Sequence, residues 1–123
     1  MIGRIANRTV NRSTRDTFLD HLARRMGRQT EADIALNYSA DVVLLTSDGT
    51  RYGHEGVRHC AARLEELLPH ASLEYTRQVV SGEVAFLEWK ARSAERRIED
   101  GVDTLVIRRG RIVAQTIHYT VIA

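Results

Sequence analysis

The chain predicts an α+β fold with its helices first and its strands last, and three observations carry that reading. Apolar residues recur at helical spacing as far as Leu68. The stretch from Leu73 to Val121 is rich in β-branched residues and short turn signals, and the single proline, Pro69, divides the two regimes. Ser13 with Asp16 three residues on resembles a capping box, and Phe18, Leu19, Leu22, Ala23 and Met26 form an apolar stripe that Gly27 ends. Thr30 with Asp33 repeats the start signal for a short second helix, which carries Ile34, Ala35 and Tyr38 and ends near Ser39. Val42 to Thr46 is a strand, closed by Ser47-Asp48-Gly49 onto a return strand reaching Tyr52. A third helix has Val57, Cys60, Ala61, Leu64, Leu67 and Leu68 on one stripe and stops at Pro69. From Leu73 onward the pattern is strand, Ser81-Gly82 turn, strand, polar loop from Ser93 to Ile98, strand, Arg109-Gly110 hairpin, strand.

Composition sets the outer bounds. With 123 residues, 43% hydrophobic and 28% charged, the chain is large enough to bury a core without disulfides or metal. Residues 13–123 therefore read as one domain behind a flexible basic arm, residues 1–12. There is no apolar run long enough for a membrane span and no secretory h-region, and the single cysteine, Cys60, fits a reducing cytoplasm. Through Arg28 seven arginines face only Asp16 and Asp20, but no aromatic interleaving accompanies them, so the arm reads as solvated and not as a nucleic-acid grip. Seventeen arginines against Lys90 alone point to a GC-rich bacterial genome. His21, His59 and His70 have no partner at metal-ligand spacing, His54 suits a surface or helix-start role, and Cys60 sits on an apolar stripe as inert core. Gly-rich phosphate cradles, nucleophile elbows and Cys-x-x-Cys pairs are missing, so neither metal nor cofactor is expected.

Register counting over the last strands selects the candidate site. A hairpin with Arg109 and Gly110 in its loop pairs Arg108 with Arg111, and stepping outward pairs Leu105 with Ala114 and Asp103 with Thr116. Centring the preceding loop near Glu95 and Arg96 pairs Phe86 with Leu105 and Glu88 with Asp103. One face then carries Phe86, Glu88, Asp103, Leu105, Thr116, His118 and Thr120, joined by Tyr75 if its hairpin centres on Ser81 and Gly82. The opposite face carries Leu87, Trp89, Val113, Ile117 and Tyr119, apolar enough to expect a homodimer across it. A slip of one residue at either turn exchanges the two faces.

Three helices, a short hairpin before the third, and a long strand meander resemble the nuclear transport factor 2-like (cystatin-like) superfamily, and within it the SnoaL-like proteins. The resemblance is carried by Tyr38-Ser39-Ala40-Asp41-Val42-Val43, by Gly53-His54-Glu55-Gly56-Val57-Arg58 and by Gly110-Arg111-Ile112-Val113-Ala114-Gln115-Thr116-Ile117-His118-Tyr119. It implies a cone: a curved antiparallel sheet wrapped around the helices, a deep apolar pocket and dimerisation through the outer sheet face. The aspartate base of ketosteroid isomerases falls here on Thr46. The His-x-Asp pair of SnoaL-type cyclases meets His118 but Thr120, and the Arg-x-Asp pair of limonene epoxide hydrolases does not occur.

Three readings stay open. In the first, the chain is a cofactor-free lyase, cyclase or isomerase in which His118 moves a proton, Asp103 orients or charges it, and Glu88 is a second acid. Tyr75, Phe86, Leu105, Thr116 and Thr120 from the sheet, with Tyr38, Phe18 and Leu22 from the helices, would hold a small apolar or amphipathic ligand. In the second, the same residues satisfy one another in a pocket that binds without turnover, and in the third the dimeric sheet serves as a scaffold.

Overall fold

The computed structural model describes residues 12–123. Helices α1 (Thr14–Met26) and α2 (Thr30–Asn37) precede strands β1 (Tyr38–Thr46) and β2 (Gly49–Tyr52). Helix α3 (Gly53–Leu67) then leads into β3 (Ser72–Ser81), β4 (Val84–Arg92), β5 (Arg97–Arg108) and β6 (Arg111–His118). The helix signals act largely as read. The Ser13 hydroxyl accepts from the Asp16 amide at 3.0 Å and starts α1. In α2 the cap is Gln29 without a side-chain bond, and Thr30 is already helical.

The six strands form one curved sheet in the order β2-β1-β6-β5-β4-β3. Every joint is antiparallel except β1 against β6, which is parallel, so the sheet is mixed. β1 also begins four residues earlier than the β-branched run suggests, because Tyr38 already pairs with Ile112 ahead of an irregularity that ends at Val43. The helices cover one face, where Phe18, Leu22, Ile34 and Leu68 pack on Val42, Leu44, Ala85, Leu87, Trp89, Leu105, Ile107 and Ile112.

The expected register holds at the last hairpin and then slips. Arg108 faces Arg111 and Ile107 faces Ile112, with Arg109 and Gly110 both at positive φ in the turn. Between Val106 and Ile107 a bulge leaves Val113 as the extra residue, so Asp103 faces Ile117 and not Thr116. The loop before β5 centres one position earlier than expected, which alone would keep the faces, but an irregularity between Trp89 and Ala91 then offsets the ladder by one residue, so Asp103 faces Leu87 while Glu88 faces Val102. The β3–β4 turn is Gly82-Glu83, and an irregularity between Tyr75 and Arg77 then puts Tyr75 opposite Trp89. These shifts turn Leu87, Trp89, Ile117 and Tyr119 inward, correcting their expected place on the outer face.

The expected arm lies outside the described residues except for Arg12, and Arg12 is docked. Its Nη2 donates to the Leu36 and Gly110 carbonyls, at 2.8 Å each, tying the end of α2 to the β5–β6 turn. Beside it, Arg111 donates to the Ala35 carbonyl at 2.7 Å, so two cations meet the negative end of the α2 dipole. Burial holds the Arg12 guanidinium below its ordinary pKa. Arg12→Ala should remove about 1–2 kcal/mol of charge-assisted bonding. Calorimetry should then record a melting midpoint lower by roughly 4–8 °C, whereas an unchanged midpoint would show that this clip contributes nothing.

Candidate functional site

A cavity of about 780 Å³ opens between the helices and the inner face of the sheet. Its apolar wall comes from α3, with Val57, Cys60, Ala61, Leu64 and Leu67, and from Leu44, Leu73, Ile117 and Tyr119. Its polar floor is built by α1, α2 and the centre of the sheet.

Asp103 is the hub of that floor. It is 1% exposed, and its carboxylate accepts from Trp89 Nε1 at 2.9 Å, from Gln115 Nε2 at 2.9 Å and from Arg25 Nη1 at 3.4 Å. The Gln115 carbonyl in turn accepts from the Tyr38 hydroxyl, so the chain of bonds crosses β4, β5, β6 and β1 and reaches α1. Each donor supplies part of what burial of a carboxylate costs. Burial, with the charges of Asp33 and Asp103 nearby, pushes the Tyr38 phenol well above its ordinary pKa and keeps it a donor.

Beside the hub stands a histidine–carboxylate pair. His21 Nδ1 lies 2.8 Å from Asp33 Oδ2, and both side chains are at least nine-tenths buried. Asn37 donates to the other Asp33 oxygen at 2.8 Å and to Asp20 at 2.9 Å, so Asp33 is held from two sides. With Nδ1–H committed to Asp33, a neutral His21 keeps its lone pair on Nε2. That atom is buried without a hydrogen-bond partner, and the ring packs edge-on to Tyr38 on the cavity lining.

The three residues expected to act together are not brought together. Glu88 and His118 flank Val102 on the outer face, while Asp103 points inward. His118 is 62% exposed, with Ser47 Oγ at 3.4 Å and Asp100 at 3.9 Å as its polar neighbours. Thr116 and Phe86 also face outward, and Thr120 bonds Asp100 beyond the end of β6. The physical reason is the two one-residue shifts, either of which reverses a strand's faces. Of the expected ligand contacts, Tyr38 lines the cavity. Phe18, Leu22 and Leu105 are core, and the Tyr75 hydroxyl donates to the Leu22 carbonyl at 2.8 Å, pinning β3 to α1, its pKa pushed up to about 12 by burial.

His21, Arg25, Asp33 and Gln115 escaped the sequence reading. The signal existed: Thr17, His21 and Arg25 continue the Phe18–Leu22 stripe at four-residue spacing, polar groups on a face that a helix buries. Burial raises the pKa of the Cys60 thiol, as the apolar stripe suggested. Among the described residues no three His, Cys, Asp or Glu side chains gather as metal ligands, and no helix is long and apolar enough to cross a membrane.

Comparison with known proteins agrees with the architecture. The SnoaL-like domain family matches residues 12–115. A candidate ketosteroid isomerase from Kribbella flavida superposes with a TM-score of 0.72 at 20% identity, covering 87% of this chain and 77% of its own. A nuclear transport factor 2-like protein of unknown function from Cytophaga hutchinsonii gives 0.69 at 14%, covering 88% and 90%. TerC, co-crystallised with polyporic acid, gives 0.69 at 18%, covering 87% and 91%. At these identities the likeness establishes the fold alone. No curated protein matches the chain.

Asp103→Ala would leave Arg25, Trp89 Nε1 and Gln115 buried without their acceptor. Urea unfolding should register a loss of about 3–5 kcal/mol; a loss below about 1 kcal/mol would remove Asp103 from the centre of the floor.

Proposed function

We propose, from the premise that this chain belongs to the SnoaL-like domain family, that it is an enzyme moving a proton on a small amphipathic carbonyl compound held in the cavity. The observation that carries this reading is the buried His21–Asp33 pair, with its Nε2 buried and unpartnered and His21 among the residues that line a largely apolar cavity. A carboxylate on Nδ1 fixes the ring, keeps Nε2 available as an acceptor and stabilises the imidazolium once a proton arrives. Lyase, cyclase and isomerase chemistry share this first event, removal of a proton made acidic by a neighbouring carbonyl. His118, Asp103 and Glu88 then divide differently from the first expectation: Asp103 organises the floor, and the exposed His118 and Glu88 stand outside the reaction.

The test is exchange of α-protons for deuterium in a panel of mono- to tricyclic ketones, followed by NMR in D₂O. The protein should accelerate exchange for the ketones that stabilise it thermally, and His21→Gln should cut that acceleration by about 10²-fold or more while leaving the stabilisation. Ligands that bind with no exchange above buffer would identify a binding module instead.

Assembly belongs to the same proposal. The outer sheet face carries Val43, Leu45, Val79, Val84, Phe86, Val102 and Val106 in neighbouring register, with Leu45, Val79 and Val84 each more than two-fifths exposed. A face this apolar across so many strands supports a homodimer. Sedimentation at micromolar concentration should give a dimer that Phe86→Glu with Leu45→Glu converts to monomer, and a monomeric wild type would contradict it.

A further inference from the structure

The cavity floor holds a cation whose orientation is fixed from several sides. Arg25 follows His21 by four residues on α1, so the two share a face one turn apart. Its guanidinium carbon lies 4.6 Å from the centre of the Trp89 ring, its Nη1 contacts Asp103 at 3.4 Å, and its side chain is only 17% exposed. Trp89 is itself locked in place. Its Nε1 donates to Asp103 Oδ1, and its ring meets the edge of Tyr119 with centroids 5.6 Å apart. Behind it lies Gly101, where a Cβ would come within 2.3 Å of the indole. Glycine alone leaves the room that the indole occupies.

A stack therefore runs from the sheet to the cavity: Gly101, Trp89, Arg25. Among the described residues Asp103 is the one hydrogen-bond partner of the Arg25 guanidinium, and its remaining N–H groups have no acceptor among them although Arg25 lines the cavity. Asp103 also balances the Arg25 charge, which makes the pair suited to an uncharged acceptor oxygen more than to a permanent anion. A planar fork tethered at one corner and backed by a ring is a directional donor.

We propose that Arg25 is the specificity-determining residue of the cavity. It selects ligands whose carbonyl group adjoins the carbon from which His21 removes the proton, Arg25 meeting the oxygen from the next turn of α1. Trp89 and Gly101 are positioning residues that act through it. This deepens the proton-transfer reading and rests on it, since the same oxygen gains negative charge as the proton leaves and Arg25 meets that charge.

The probes are 2-decalone and 2-methylidenedecalin, equal in shape and differing by oxygen against CH₂. Binding is followed by calorimetry and by the emission of Trp89, the single tryptophan of the chain. Wild type should prefer the ketone by about tenfold or more. Arg25→Gln should erase that preference while changing affinity for the methylidene compound less than about twofold. Arg25→Lys keeps a charge opposite Asp103 and so protects the fold, and it should lose most of the preference because an ammonium lacks the fork. Gly101→Ala should cause the same selective loss together with a shifted Trp89 emission. His21→Gln should keep the preference, so failure of proton transfer and failure of oxygen recognition are told apart. No preference in wild type, including failure to bind either probe, overturns the proposal, as does equal weakening of both probes by Arg25→Gln.

Discussion

A buried carboxylate at the middle of a sheet has to be satisfied by whatever surrounds it, and the burial of Asp103 organises this molecule. Its partners come from β4, β6 and α1, and through Gln115 the network reaches Tyr38 at the head of β1. Helix α1 is thereby fixed against the inner face at Arg25, which in turn fixes where His21 stands one turn earlier. The apolar core alone would tolerate small slides of helix on sheet. Directional bonds to a single anion do not, and this is how a cone with a large cavity keeps a defined floor.

The floor then divides its tasks by environment. Asp103 is surrounded by donors and serves as an anchor, whereas Asp33 bonds one histidine and one asparagine and leaves the far side of that histidine unpartnered. Two carboxylates with different company take different roles, one structural and one chemical. The α3 wall supplies apolar surface and Cys60 to the same space, and burial keeps that thiol protonated. The cavity thus offers mostly apolar surface to a ligand, with the Asp103 and Asp33 networks at its floor.

Much of the fold was legible from the chain. Three helices, the β1–β2 hairpin and the four-strand meander follow from period and punctuation, and the Arg109-Gly110 turn fixed the hairpin pair Arg108 with Arg111. What the chain could not declare was where the ladder breaks. Val113 is β-branched like Ile112 before it and nothing local marks it as the bulged residue, and nothing in Trp89-Lys90-Ala91 marks the irregularity that offsets β4 against β5. Each shift moves one strand by one residue, and together they separate Glu88 and His118 from Asp103. The site was less legible than the fold because half of it lies on α1 and α2, where His21, Arg25 and Asp33 sit among apolar residues. Their meaning depends on the sheet that those helices cover, and sequence spacing alone does not give it. Asp103 lies on an inward face, whereas Glu88 and His118, expected beside it, lie on the outer one.

The central claim is that Asp33 holds His21, a residue of the cavity lining, in one tautomer with its buried Nε2 unpartnered. Long-range ¹H–¹⁵N correlation spectra of the histidine rings, recorded on the free protein above neutral pH, read this directly. The account predicts a neutral His21 ring protonated at Nδ1 with a bare Nε2, and loss of that pattern in Asp33→Asn. A His21 ring protonated at Nε2 would contradict it, because the nitrogen offered to a substrate would then be a donor and not a base.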